Sequence, residues 1–513
     1  MHLHKIACRN RIGRRVRAFQ DGARALMVLS AMMRRPGALL LVLLLGLAAR
    51  AEPPNILLIL ADDLARSDLA VYGHPWHETP HLDALAIAGL AFTDSYAPAP
   101  ICSASRASLL TGKSPARLQF EFVTKERSGL QKLKPAQPLQ APAYTLNLPL
   151  EEKSIAEVLA PAGYTSAFFG KWHLNAHYRG YLGWSPTYGP ARQGFRTATE
   201  GFGSHPYSYR RDKRPQILTE KGTFPEDGVT KRAIDFINLG HRRPWFLFLS
   251  HFYVHTPVHT PCQWLVTKYD QKVPEGVPNR DNRIMYAAFL ETLDHYVGEV
   301  LGALDKRGVS ERTLVVFTSD NGGHPEFTAN GPLRGSKWNL YEGGVRVPLM
   351  MRWPGTIVPE SICSVPVSGY DFLPTFAELA GSKIDPAALG LDGASLVPFL
   401  RNPSVKTERK LYWHFPYYHP EGEKFGQAQP EIGVDDFQVS QTTPVSAIRW
   451  GNRKLLYFYE DERCELYDLS VDPGEQRDLA AAAPEEVARL REELERYLTE
   501  VKARRPSRII TRK

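Results

Sequence analysis

The run Asn55-Ile56-Leu57-Leu58-Ile59-Leu60-Ala61-Asp62-Asp63 decides how this chain is read. Its apolar residues follow one another from Ile56 to Ala61 without alternation, between Pro54 and Asp62. That is the pattern of a strand buried on both faces. A helix-length segment follows at 79–89, with Thr79 at the N-cap, Pro80 at the first helical position and Gly89 closing it. The alternation then recurs. Residues 154–160 read as helix before a strand at 165–169, and 245–250 is another apolar run. Residues 283–306 carry Ile284, Ala287, Leu290, Asp294, Val297, Leu301 and Leu304 at helical spacing, and 313–318 and 345–351 read as strands. Strands alternating with helices predict an α/β domain, a large mixed, mostly parallel sheet with helices on both faces.

Near residue 400 the texture changes. Residues 415–444 read as a long loop, 447–450 and 454–459 as a hairpin around Gly451-Asn452, 465–469 as a further strand and 484–501 as an amphipathic helix. The expectation is a small C-terminal antiparallel sheet with a packed helix. The division is 1–51 leader, 52–400 catalytic α/β domain and 401–513 small α+β subdomain. Residues 119–150 have little apolar periodicity and read as an inserted surface loop.

The leader explains the charge. Residues 1–51 hold ten of the 63 Lys/Arg and one of the 55 Asp/Glu, leaving 53 basic against 54 acidic residues elsewhere. The net +8 is therefore no argument for nucleic-acid binding. Arg34 and Arg35 precede an apolar run at 37–49, and Ala49-Arg50-Ala51 has the small-x-small form of a cleavage site. Residues 1–51 are thus expected to be a signal peptide cut near Ala51, giving a secreted or periplasmic protein with no stable membrane span; the competing reading is an uncleaved anchor. Outside the leader, Cys262, Cys363 and Cys464 permit at most one disulfide once Cys102 is assigned to chemistry, so stability must come from a core.

Open α/β sheets bind ligands at the carboxyl ends of their strands. Asp62-Asp63, Lys171-Trp172-His173 and Asp320-Asn321-Gly322 all follow strand-like segments. The acids and the amide supply oxygen ligands for a hard dication such as Ca²⁺ or Mg²⁺. Each pair alone is an ordinary cap or turn former. Placed together at strand ends, they point to a metal.

Between these clusters stands Cys102-Ser103-Ala104-Ser105-Arg106, followed by Leu110-Thr111-Gly112-Lys113. The run resembles the sulfatase signature: Cys or Ser, any residue, Pro or Ala, Ser, Arg, then Leu-Thr-Gly. In chain order, 55–63, Gly170-Lys171-Trp172-His173-Leu174, Val254-His255-Thr256-Pro257, Ser319-Asp320-Asn321-Gly322 and Arg334-Gly335-Ser336-Lys337 with 341–348 are similar to further sulfatase segments. The likeness spans residues 52 to 480.

The resemblance implies an alkaline-phosphatase-like fold and oxidation of Cys102 to formylglycine by a maturation enzyme. One hydroxyl of the hydrated aldehyde would attack sulfur, and the other would later expel sulfate. It implies one Ca²⁺, with Mg²⁺ second, held by Asp62, Asp63, residue 102, Asp320 and Asn321. Arg106, Lys171 and Lys337 would supply fixed positive charge, His173 a base, and His255 with Lys337 acids near the leaving group. Ala104 departs from the commonest form, which has Pro there; radical converting enzymes tolerate Ala. The substrate expected is a sulfated carbohydrate or an aryl sulfate. Two other readings use the same residues: a phosphate or phosphonate ester hydrolase of the same superfamily, and a non-catalytic binder of sulfated ligands with Cys102 unmodified.

Several residues have competing readings. His251 competes with His255, which better matches the motif, and Lys113 is given no catalytic role. His74, His77 and His81 are not separable from surface residues. Trp172 and Trp338 either pack or stack on a sugar, and Tyr207, Tyr209, Tyr417 and Tyr418 are candidate sugar contacts at the pocket mouth.

Overall fold

The computed structural model describes residues 52–133, 137–208, 218–420 and 441–509; the leader lies outside them. From Pro54 onward the chain forms one compact unit. At its centre is β1 (Asn55–Ala61), buried along its whole length. Ile56, Leu58 and Leu60 face one hydrophobic layer, and Leu57, Ile59 and Ala61 face the other, so the unbroken apolar run is a two-sided core strand.

The other strands of its sheet are β2 (Leu90–Phe92), β3 (Thr165–Gly170), β4 (Thr197–Thr199), β5 (Trp245–Ser250), β6 (Thr313–Ser319), β7 (Leu349–Arg352) and β8 (Ser361–Cys363). Their order is β8-β2-β7-β6-β1-β5-β3-β4. β1 pairs parallel with β5 and β6, and β3 parallel with β5 and β4, while β7 runs antiparallel to both β6 and β2. The sheet is mixed and mostly parallel, as the alternation predicts. The carboxyl ends of β1, β3, β5 and β6 therefore lie side by side, and the polar clusters follow them.

Helices cover both faces. On one lie α1 (Pro80–Ile87), α3 (Gly228–Asn238) and α4 (Arg280–Arg307); on the other lie α2 (Cys102–Thr111) and α5 (Phe372–Ala380). Thr79 does occupy the N-cap of α1, but its hydroxyl makes no capping bond there. The free N–H groups of His81 and Leu82 instead donate to the carboxylate of Asp294, at 3.1 and 2.8 Å. Asp294 thus sits on the apolar stripe of α4 as a tertiary cap. Gly89 serves packing more than helix termination: a Cβ there would meet the carbonyl oxygen of Met351 at 2.2 Å.

The C-terminal strands β9 (Lys410–Phe415), β10 (Val445–Trp450), β11 (Arg453–Phe458) and β12 (Cys464–Asp468) form an antiparallel sheet in sequence order. One face packs on α6 (Pro484–Glu500) through Ile448, Leu455, Leu490 and Leu494; the other packs on Tyr96, Ile101, Ala104 and Trp338 beside the start of α2. Charge binds it too. Lys454, wholly buried, lies 2.9 Å from both Glu342 and Glu475.

Three expectations change. Residues 119–150 are not merely a surface insertion: Phe120, Phe122 and Leu148 are buried, Phe122 stacks on Tyr417 at 4.5 Å, and Glu121 is clamped by Arg504. These anchors are irregularly spaced, so no periodic signal marks them. The loop expected at 415–444 begins in a strand, β9, that pattern reading missed, and 421–440 lie outside the described residues. Of the strand expected at 345–351 only Leu349–Arg352 forms, because Glu342–Val345 makes one helical turn. Cys262, Cys363 and Cys464 are all free thiols, within the expected limit of one disulfide.

Removing one partner of a buried ion pair leaves an uncompensated charge. Lys454→Met should therefore destabilise the protein by about 3–5 kcal/mol, read from the urea midpoint, by leaving Glu475 without its cation and Glu342 with Arg346 alone.

Candidate active site

Cys102 is the first residue of α2, every residue of which is buried. Ile101 before it is extended, so the helix N-terminus and its partial positive charge face the end of β1. The thiol Sγ lies 3.5 Å from Asp62 Oδ1 and 3.7 Å from Asp63 Oδ1. Burial pushes its pKa well up, with Asp320 and Asp62 adding to the rise and Lys171 and Lys337 opposing it, so an unmodified thiol is neutral here.

Fixed cations answer the acids. Lys171 Nζ is 2.6 Å from Asp62 Oδ2, and Lys337 Nζ is 2.6 Å from Asp63 Oδ2. Arg106 Nε and a terminal nitrogen both lie 2.8 Å from Asp320 Oδ2, while its other terminal nitrogen donates to the Lys171 carbonyl and to Ser250 Oγ. The three carboxylates, Asp62, Asp63 and Asp320, are thus matched by three cations in a place where none could stay charged alone. Burial works against the charge on Lys337, but the carboxylates, Asp63 first, outweigh it and raise its pKa; Asp62 does the same for Lys171.

Arg106 brings the expected positive charge to the site, but its fork is spent on Asp320, the end of β3 and the end of β5. It ties three strand ends together. Ser250, which receives it, carried no functional signal in the sequence.

Asp62, Asp63, Cys102 and His255 present ligand-type atoms all within 4.8 Å of one another. Asp320 stands outside that group, accepting from Arg106 and from the Asp63 backbone N–H at 3.1 Å. Asn321 donates to Asp63 Oδ1 at 2.7 Å, and its own Oδ1 is buried with no hydrogen-bond partner. An orphaned amide oxygen beside two carboxylates fits a hard cation.

The two histidines differ from their rivals by position. His255 Nε2 lies 3.7 Å from Asp63 Oδ2, whereas His251 lies against Tyr296, with ring centroids 6.4 Å apart. His173 is buried, with Nδ1 lacking a partner. Burial first, and then Lys171 for His173 and Lys337 for His255, lowers both pKa values well below the ordinary range, so each ring is a neutral proton acceptor. Tyr207, expected at the pocket mouth, places its hydroxyl 3.2 Å from His255 Nδ1. His205, which no sequence signal marked, holds the His255 carbonyl at 2.9 Å.

Other candidates fall away from the site. Lys113 pairs with Glu152 at 2.5 Å. Tyr417 and Tyr418 are buried in the C-terminal part and are not pocket-mouth residues; Tyr209 lies outside the described residues. Trp172 packs on Phe168 and Phe195, and Trp338 on His324 and His419, so both are packing residues. His74 and His77 stack on each other at 3.4 Å and form a separate group with Asp68.

Backbone strain gathers here. Asp63, His173 and Trp338 have φ of 61°, 54° and 76°, a region that disfavours non-glycine residues and is retained where surroundings enforce it.

A buried, charge-matched pocket at the carboxyl edge of a mostly parallel sheet, with Cys102 at a helix N-terminus and two neutral histidines, fits a hydrolase of anionic esters. The sulfatase family pattern matches residues 54–382, and the C-terminal pattern of N-sulphoglucosamine sulphohydrolase matches 336–504. The chain is 33% identical over 503 residues to arylsulfatase A of Homo sapiens, covering 90% of each, and 34% identical over 402 residues to N-acetylgalactosamine-6-sulfatase of Rattus norvegicus, covering 72% of this chain and 70% of that one. Its fold matches the crystal structure of Ps i-CgsB with a TM-score of 0.67 at 26% identity, over 87% of this chain and 93% of that one. The chain belongs to the sulfatase family, and it is an arylsulfatase-like sulfuric ester hydrolase.

Gly170, the last residue of β3, has φ of 106°, and a Cβ there would meet the Ser250 carbonyl oxygen at 1.8 Å. Gly170→Ala should lower stability by about 2–5 kcal/mol, from backbone strain plus overpacking, with activity lost in parallel. Urea denaturation and an aryl sulfate assay check it.

Proposed function

We propose that this sulfatase hydrolyses sulfate esters of carbohydrates or small aryl alcohols through formylglycine made from Cys102, with one Ca²⁺ in the pocket. The observation that carries the proposal is the buried group of Asp62, Asp63 and Cys102 with Lys171 and Lys337 at 2.6 Å from the two acids. A neutral, buried thiol is a poor nucleophile, which supports a modified residue at 102. When converted, that residue supplies the hydroxyl that attacks sulfur.

Asp62, Asp63 and Asn321 would hold the cation, with Asp320 braced by Arg106 just behind them. The cation when bound supplies Lewis acidity toward a sulfate oxygen. The matched acids and bases leave the protein part of the pocket neutral, so a dication makes it attractive to an anionic ester. Lys171 and Lys337 then orient the sulfate oxygens. His173, neutral and with a free Nδ1, takes a proton from the group at 102. Lys337, kept charged by Asp63, is positioned to give a proton to the leaving oxygen, with the neutral His255 beside the same acid.

Residues 52–400 are taken as the catalytic part and 401–513 as its brace, since the C-terminal sheet packs against Ile101 and Ala104 at the start of α2. The leader 1–51 is taken as a secretory signal; among the described residues no helix is long and apolar enough to cross a membrane.

Cys102→Ala should reduce sulfate release from 4-nitrophenyl sulfate by about a thousandfold or more at unchanged stability. Equal rates for variant and parent would overturn the proposal. Mass spectrometry of the peptide containing Cys102 should show the aldehyde in active material. Dialysis against a chelator should abolish activity, and Ca²⁺ should restore more of it than Mg²⁺; full activity after chelation would remove the cation from the mechanism.

A further inference from the structure

Five rings run in unbroken succession between the two histidines of the site. His173 and His177 have centroids 6.0 Å apart, His177 and Tyr181 5.0 Å, Tyr181 and Tyr207 5.5 Å, and Tyr207 and His255 6.1 Å. The middle pairs meet edge to face. The ends of the arc are buried, while Tyr181 at its crest is 50% exposed. A half-exposed tyrosine between two buried proton-transfer groups is not explained by core packing.

The turn that carries Tyr181 is braced from behind. Tyr178 N–H donates to the Gly183 carbonyl at 3.2 Å and Gly183 N–H to the Gly180 carbonyl at 3.1 Å. Asn175 donates to the same Gly183 carbonyl at 2.9 Å and accepts from Ser185 N–H at 3.2 Å. Gly183 admits no side chain, since a Cβ would lie 1.9 Å from the Tyr178 carbonyl oxygen. Tyr181 is thus presented at a fixed place, with little ordering left to be done on binding.

We infer that this arc is the leaving-group subsite, and that it selects sulfate esters whose alcohol is a ring presenting a flat face to Tyr181. The inference rests on the sulfatase reading, which puts the sulfur beside Cys102 and the leaving oxygen near His255. A pyranose offers a C–H face and an aryl group a π face, and both stack on tyrosine. An acyclic alkyl group offers neither.

The test compares parent, Tyr181→Ala and Tyr181→Phe on 4-nitrophenyl sulfate, N-acetylgalactosamine 6-sulfate and ethyl sulfate. Tyr181→Ala should raise KM for the ring esters about tenfold with kcat nearly unchanged, leave kcat/KM for ethyl sulfate within about twofold, and be rescued by Tyr181→Phe. A rise confined to the aryl ester or to the sugar ester supports the subsite and identifies its ring. Equal losses on ethyl sulfate, or no loss on either ring ester, overturn the inference while the sulfatase reading stands. Sulfate release from none of the three by the parent takes both down.

Discussion

Everything at this site depends on keeping carboxylates ionised inside a protein. Asp62, Asp63 and Asp320 are fully buried, and an isolated buried carboxylate takes up a proton rather than stay charged. Lys171, Lys337 and Arg106 offset that cost with opposite charge, each at hydrogen-bond distance from its own acid. The pairing also organises the fold around the site. Arg106 reaches from α2 to residues at the ends of β3, β5 and β6, and Lys337 brings its loop against the end of β1.

The scaffold is built to hold those six groups still. Lys171 and Ser250 lie at adjacent strand ends held in register, and no side chain fits at Gly170 between them. The C-terminal sheet adds a second constraint by burying Trp338 and Ala104 on its inner face, so that Lys337 and Cys102 are backed by one apolar layer. The buried Lys454 with Glu342 and Glu475 repeats the principle of charge matching away from the chemistry, tying that sheet to the segment after Lys337.

Much of this was legible in the chain. The apolar run 56–61, the helical spacing on 283–306, the Gly451-Asn452 hairpin and the ordered motifs around Cys102 and Asp320 are local patterns, and local patterns follow from the period of a helix or strand. What escaped was non-periodic. Phe120, Phe122, Tyr417 and Tyr418 looked like loop residues because nothing in their spacing announces burial; Phe120 is buried by the main core, and Phe122 with Tyr417 by the C-terminal sheet. Strand β9 was missed because it runs directly into a segment of loop-like composition.

The sequence by itself determined the α/β class, the acid pair, the position of Cys102 and the choice of His255 over His251, since each rests on residue type and order along the chain. Tertiary structure alone decided which cation answers which acid, that the Arg106 fork is spent on Asp320, that Asp294 caps a distant helix, and that Tyr181 and Tyr207 bridge the two histidines. The reason is physical: these contacts join residues tens to hundreds of positions apart, and their energies come from burial and charge matching that exist only once the strands are in register.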